Sequence, residues 1–402
     1  MAIIERRDTS GKRHYQVRVA VKDATGRRAN RTIGTYPTKR EAQRAERDAL
    51  TNRDRGTLVD PATTTVAELL ASWLVTKAGE VSSNSHADYE QVIRLHIIPA
   101  LGTVKVQSLT AARLQSQYTA WRDAGLSARM IRGCHMRLSQ ALKQAVAFGI
   151  MYANPCDSVK PPTLDRQTVQ TWSAEEARSF LLAAEHRPEL NRGGDTGRRA
   201  PDPLWPLWPL LLLEGLRKGE GLGLRWRDVD LDRGTASITQ TVAADKSNAG
   251  KVIIQPRAKT AAGARSVRLT PQTIAALKEH RKRQNATRLA AVEWADHDLV
   301  VCTVKGTPVN PGGNVNRSFD AIVKAARLPD GSALRRIRIH DLRHTAATLL
   351  LGAGVPAKIV SERLGHATVS ITLDLYSHVT GDMQADAAAR MGALFGDVQV
   401  SS

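Results

Sequence analysis

Apolar and polar positions alternate through HYQVRVAVK (14–22) as a half-buried strand requires; the DATG that follows is turn chemistry, and RRANRTIGTY (27–36) is a second strand-like run. TKREAQRAERDALTNRDRG (38–56) then has the character of a charged helix, so residues 1–60 are expected to form a β-hairpin plus a helix. Thr65 and Glu68 have capping-box spacing, and Val66, Leu69, Leu70, Trp73 and Leu74 fall on one helical face. That helical period continues to about Tyr152. ANPCDSVKPPTLDRQTVQ (153–170) mixes prolines with polar residues and has no period, as a linker would, and Ser173 and Glu176 cap a fresh helix after it. Farther on, TASITQTV (235–242), KVIIQP (251–256), RSVRL (265–269) and DLVVCT (298–303) are predicted short strands among helices, while RPELNRGGDTGRRAPDP (187–203) reads as a mobile surface loop.

The expected fold is multidomain and mainly α with small β-sheets. It has a hairpin and helix unit at 1–60, an all-α domain at 65–155, a linker at 156–171, a mixed α+β domain at 172–384, and a C-terminal helix and tail at 385–402. A length of 402 residues suits roughly two to four domains. No apolar run reaches the ~20 residues of a membrane span, and the start of the chain lacks a signal-peptide core, so we expect no membrane partner and a cytoplasmic location. Cys134, Cys156 and Cys302 lie far apart with no CxxC, which argues against a disulfide framework or a cysteine zinc site and leaves them as buried thiols.

The chain carries 58 Lys+Arg against 39 Asp+Glu, a formal net charge of +19, and this points to a polyanionic partner, for which nucleic acid is the expectation. Residues 1–60 hold 15 Lys/Arg and 8 Asp/Glu, the balance of a small basic nucleic-acid-binding module.

Four clusters in the third domain hold residues suited to a phosphate. They are EGLRKGEGLGL around Arg217, RAKTAAGARSV around Lys259, IHDLRHTAA around His340 and Arg343, and LGHATVSITLDLY around His366 and Tyr376. Each also has a plainer reading. Arg217 can pair with Glu214 or Glu220, Lys259 can be a solvated residue at the tip of a β-hairpin, and Tyr376 can be a core or rim residue. His340 and Arg343, three apart, share a helical face, with His344 close by. HDLRH also approximates a two-histidine zinc helix with His366 as third ligand, although Asp341 stands where that motif wants Glu. His378 carries no catalytic claim.

Taken in order, the clusters resemble the tyrosine recombinase (phage integrase) family: an arginine in a GLRxxE context, a lysine on a hairpin, HxxR, then GH followed about ten residues later by a tyrosine. Residues 173–380 carry the resemblance. It implies a site-specific DNA recombinase, an integrase of a temperate phage or integrative element that acts through a 3′-phosphotyrosine and a Holliday junction without metal, ATP or other cofactor. In it Tyr376 is the nucleophile, Arg217 and Arg343 hold the non-bridging oxygens, Lys259 is the general acid, His340 the base, and His366 a hydrogen-bond donor to the phosphate. By the same resemblance 65–152 looks like a core-site-binding domain and 1–60 like an arm-binding domain. The implied partners are double-stranded DNA with core and arm attachment sites and a homotetramer on that DNA, with room for a host bending protein and a directionality factor. The end of the chain, with Ala388, Met391, Leu394 and Phe395 at helical spacings, is the expected connector between subunits. DNA relaxation of the type IB topoisomerase kind, a non-catalytic DNA-binding regulator and a zinc hydrolase on HDLRH are the alternatives.

Overall fold

Val17 and Val19 point the same way from one strand and are fully buried, and the first sheet is assembled around them. In the computed structural model, three antiparallel strands, β1 (Ala2–Arg7), β2 (Arg13–Lys22) and β3 (Arg28–Tyr36), lie in the order β1-β2-β3, with a register shift between Val17 and Arg18. The structure describes residues 2–7, 13–22, 28–54, 63–164, 169–185, 204–248, 250–256, 265–366, 368–376, 388–389 and 391–393. A hairpin was expected here, and β1 is a third strand that the sequence did not announce. Its AIIERR has three adjacent apolar residues and then three charges, so it has no alternation; pairing of Ile3 with Val17 makes it a strand. The helix α1 (Lys39–Asp54) covers this sheet with Ala42 and Ala49.

Chain contacts divide the molecule into two compact units, 1–166 and 167–402. The remainder of the first unit is helical: α2 (Val66–Ala78), α3 (Ser83–Val92), α4 (Ile98–Leu101), α5 (Ala111–Asp123) and α6 (Ala128–Ala147). The Thr65 hydroxyl accepts from Glu68 N while the Glu68 carboxylate accepts from Thr65 N, so the capping box forms as expected. Helix α6 buries Ile131, Cys134, Leu138, Ala141, Leu142 and Ala145 at i, i+3 and i+4 steps. Burial pushes the Cys134 thiol up to about 11 and Cys156 up to about 12, the behaviour of inert core thiols; Cys302 is half-buried.

In the second unit the reciprocal bonds between Ser173 and Glu176 start α7 (Ala174–Glu185). Trp172, Phe180, Trp208 and Phe319 pack into one aromatic core, with ring centroids 5.0 Å apart for the tilted pair Trp172 and Phe180. Buried α8 (Leu207–Leu212) leads to short α9 (Lys218–Gly223). Strands β4 (Val229–Asp230), β5 (Thr235–Ile238), β6 (Gln240–Ala244), β7 (Val252–Pro256) and β8 (Arg265–Arg268) follow. Then come α10 (Pro271–Ala290), α11 (Gly313–Ala325), α12 (Asp341–Gly352), α13 (Ala357–Leu364) and α14 (Val369–Tyr376).

Two strand expectations change. TASITQTV is two strands, because the Thr239 hydroxyl donates to Asp228 and accepts from Arg225 and so holds the chain between β5 and β6. β5 pairs with β4 and β8, and β6 with β7, so among the described residues the strands on either side of Lys259 belong to different pairings and do not pair with each other as the expected hairpin would. DLVVCT joins no sheet among the described residues: Val300 and Val301 are fully buried, and its backbone bonds through Val300 N to Leu224 O and through isolated bridges. A short buried apolar run does not distinguish those two outcomes. The loop expected at 187–203 lies outside the described residues. No helix among the described residues is long and apolar enough to cross a membrane.

Candidate active site

Arg217 is the N-cap of α9, and its geometry starts from a glycine. Gly215 sits at φ +67°, and a Cβ there would stand 2.4 Å from Leu364 Cδ2, so only glycine lets the chain turn this close to the end of α13. After the turn, Arg217 Nη1 donates to Glu220 Oε1 at 2.8 Å and Nη2 to Gly365 O at 3.2 Å, with its side chain 39% exposed. The plain reading, a pair with Glu220, is therefore realised, and the same guanidinium also keeps a face to solvent.

Glu220 is buried and held from two sides. Arg217 N and Nη1 reach it from one direction, and Arg265 of β8 donates Nη2 to Oε2 at 2.8 Å and Nη1 to Oε1 at 3.3 Å from another. Burial alone would raise this carboxyl; the bonds and charge of Arg265, then the donors of Arg217, outweigh it and hold the group at about 2. Arg265 was not among the sequence candidates. Its one sequence signal was a cation in RSVRL, close after Lys259, and nothing local marks which of its neighbours it meets.

His340 caps the start of α12, and Arg343 lies in that helix's first turn. Arg343 is 3% exposed and donates Nη1 to Gly215 O at 2.7 Å and Nη2 to Leu364 O at 2.5 Å. The His340 and His344 rings meet edge to face, with centroids 5.0 Å apart. Burial, then the Arg343 charge, lowers His340 below the usual imidazole range and keeps the neutral, proton-accepting form. His344 falls to about 4 through burial and then the His340 charge. The Asp341 carboxylate accepts from Arg338 through backbone and side chain. Among the described residues no three His, Cys, Asp or Glu stand together as a metal site, and HDLRH is instead a helix start.

Helix α13 ends at Gly365 in the left-handed conformation, φ 67° and ψ 50°. His366 follows, its Nδ1 2.9 Å from Thr372 Oγ1 on α14, and Thr372 is fully buried. Burial, then the charges of Arg343 and Arg217, lowers His366 to about 4, so the ring is neutral at pH 7. Tyr376 is the last residue of α14, one helix beyond His366. The structure thus brings Arg217, Arg343 and His366 to the end of α13, with His340 beside Arg343 at the start of α12; Lys259 lies outside the described residues. This arrangement offers two guanidiniums, neutral imidazoles and a phenol-bearing helix, a donor set for a phosphodiester.

The model of the phage integrase family matches residues 205–382, and that of the phage integrase N-terminal SAM-like domain matches residues 65–121. A tyrosine recombinase XerC-like protein of Caldanaerobacter subterraneus is 28% identical, over 96% of this chain and 97% of its own. The ICEBs1 integrase of Bacillus subtilis is 24% identical over 81% and 82%. Among solved structures, the Tn1549 transposon integrase in complex with a circular intermediate DNA superposes with a TM-score of 0.66 at 21% identity, covering 82% of this chain and 99% of that one. A lambda integrase tetramer bound to a Holliday junction gives 0.55 at 18% identity, over 92% and 94%.

Proposed function

The chain belongs to the phage integrase (tyrosine recombinase) family and is a site-specific DNA recombinase, and we propose that it cuts and rejoins DNA with Tyr376 as its nucleophile. The observation that carries this assignment is the convergence of Arg217, Arg343 and His366 on the end of α13, one short helix before Tyr376.

In the proposed reaction the Tyr376 oxygen attacks the scissile phosphorus. A tyrosine–phosphate bond forms, the bond to the 5′-oxygen breaks, and a 3′-phosphotyrosine and a 5′-hydroxyl result. His340 takes the phenolic proton, a role its lowered basicity permits only in the neutral form that burial and Arg343 favour. Lys259 gives a proton to the departing 5′-oxygen. Each terminal nitrogen of Arg217 and Arg343 carries two hydrogens, so in this reading both guanidiniums bind non-bridging oxygens while keeping the Glu220 carboxylate and the backbone carbonyls as acceptors. When the Thr372 hydroxyl donates to Nδ1 of His366, the ring proton sits on Nε2, the tautomer that donates to a phosphate. Rejoining is the same chemistry in reverse: the 5′-hydroxyl of a partner strand attacks the phosphotyrosine, releases the phenol and gives a Holliday junction. The bond energy stays in the covalent intermediate, so ATP is not consumed.

The partner in this reading is double-stranded DNA, bound by a homotetramer, as a lambda integrase tetramer binds a Holliday junction. Residues 65–155 would grip the core site and the basic residues 1–60 the arm sites, with 172–384 catalytic and 385–402 linking neighbours. A host bending protein and a directionality factor complete the assembly, which works in the cytoplasm of a bacterial cell or phage-infected host. Nicked duplexes tiling the DNA on either side of its own coding sequence test the assignment. Wild-type chain should form a covalent adduct with one of them in the presence of a chelator, and Tyr376→Phe should bind that duplex and form none. An adduct that survives the substitution refutes Tyr376 as nucleophile.

A further inference from the structure

Three consecutive carbonyls close α13, and each accepts from a different arginine. Arg265 Nε donates to Arg363 O at 2.9 Å, Arg343 Nη2 to Leu364 O at 2.5 Å, and Arg217 Nη2 to Gly365 O at 3.2 Å. The last carbonyls of a helix have no partner inside it and carry the negative end of its dipole, so guanidiniums are their natural caps. Two of these arginines are assigned to the phosphate. The third is in a different position: its side chain is 9% exposed, and each of its three nitrogens donates to a protein oxygen, Nε to Arg363 and both terminal nitrogens to Glu220.

Arg265 is therefore poorly placed to touch DNA and well placed to hold what does. Glu220 is shared: the carboxylate that Arg265 grips also accepts Arg217 Nη1 and Arg217 N. Without Arg265, the buried carboxylate loses two guanidinium donors and pulls harder on Arg217, drawing that guanidinium toward itself and away from solvent. Arg265 also packs directly against the turn that leads to His366, since a Cβ on Gly365 would meet its Nη1 at 2.9 Å and Cδ at 3.0 Å.

We propose that Arg265 is a positioning residue for strand cleavage, which fixes the Arg217 guanidinium through Glu220 and fixes the His366 turn through the Arg363 carbonyl. The proposal rests on the assignment of Arg217 to the scissile phosphate. It requires a guanidinium: a lysine at 265 supplies one point charge to Glu220 and cannot reach the carboxylate with two donors and the carbonyl with a third.

A double-mutant cycle tests it, run on the nicked duplex that wild-type chain cleaves fastest, with single-turnover adduct formation as the rate and duplex affinity measured in parallel. Arg265→Lys is expected to keep affinity within about threefold and to slow cleavage about tenfold to a hundredfold. The distinguishing readout is coupling: Arg217→Lys combined with Arg265→Lys should lose far less than the product of the two single losses, because the part of the Arg265 effect that runs through Arg217 is already gone and only its hold on the His366 turn remains. A residue that only supports the fold would multiply its loss onto that of Arg217→Lys. Multiplied losses, or wild-type cleavage by Arg265→Lys, overturn the proposal. Where the lysine variant melts below assay temperature, Arg265→Gln, which keeps one neutral donor for Glu220, enters the cycle with the same expectation. Full cleavage by Arg217→Lys alone would instead overturn the phosphate assignment on which the proposal stands.

Discussion

Replacing Glu220 by glutamine removes one charge from a buried site and keeps its shape, so its cost reports the electrostatics of the site directly. In the folded chain the carboxyl is held at about 2, against about 4.3 for an unperturbed glutamate. At 1.36 kcal/mol for each pKa unit, the gap corresponds to about 3 kcal/mol of stability. Because the folded value is the lower one, that stability is complete above pH 4.3 and is lost as pH falls toward 2. By pH 3 it has dropped to about 1.4 kcal/mol. Glu220→Gln has no such group, so its deficit relative to wild type should be about 3 kcal/mol at pH 7 and about half that at pH 3. The assay is urea unfolding of the full chain, followed by the fluorescence of Trp172 and Trp208, which share the core of the second unit. Other depressed carboxyls such as Asp341 are present in both proteins and cancel in the difference. Parallel curves across pH 3–7 would show that Glu220 is not held as a carboxylate by Arg265 and Arg217.

Arg343→Lys should slow adduct formation by about 10²–10³, the loss typical of one transition-state donor at ~2.7–4 kcal/mol, with duplex affinity measured alongside; a change under tenfold removes Arg343 from the site. Gly215→Ala forces a Cβ to within 2.4 Å of Leu364 Cδ2 at φ +67°. It should destabilise the chain by about 1–3 kcal/mol, read as a fall of several degrees in Tm. Thr372→Val keeps the volume and deletes the hydroxyl that meets His366 Nδ1. With the tautomer no longer fixed, cleavage should slow about fivefold, corresponding to about 1 kcal/mol; an unchanged single-turnover rate refutes the role given to Thr372.

What could be read from the chain divides by sequence distance. The caps at Thr65 with Glu68 and Ser173 with Glu176 are local bonds, three residues across, and both formed as expected. The order of the four clusters was visible because each is a short run. By contrast, β1 becomes a strand only by pairing with β2, and the split of TASITQTV at Thr239 depends on Asp228 and Arg225, which no alternation pattern encodes. The hairpin expected around Lys259 assumed that consecutive strands pair with each other, whereas β7 and β8 pair back onto β6 and β5. Within the site, Gly215 meets Leu364, Arg265 meets Glu220, and Arg363 meets the fully buried Glu214 across spans that a reading of motifs does not bridge. Arg265 is the clearest case, since an arginine in a short strand is most simply taken as solvated until its acceptors are known.

The two halves of the site differ in how firmly the fold fixes them. The cationic half is tied into three carbonyls, a buried carboxylate and a glycine turn that leaves no room for a side chain, so its donors stand in place before any phosphate arrives. Donors fixed in advance need little reorganisation when charge develops on the phosphorane of the proposed reaction. The helix that ends in Tyr376 is held differently. Among the described side chains of α14, Thr372 is buried, while Val369 is 37% and Leu373 54% exposed. Segments with few buried contacts are the ones that open at low free energy. The contact between Thr372 and His366 therefore carries two jobs at once. In the proposed reaction it sets the imidazole tautomer for the phosphate, and in the structure it is a hydrogen bond that joins the helix ending in Tyr376 to the residue following the arginine-capped end of α13.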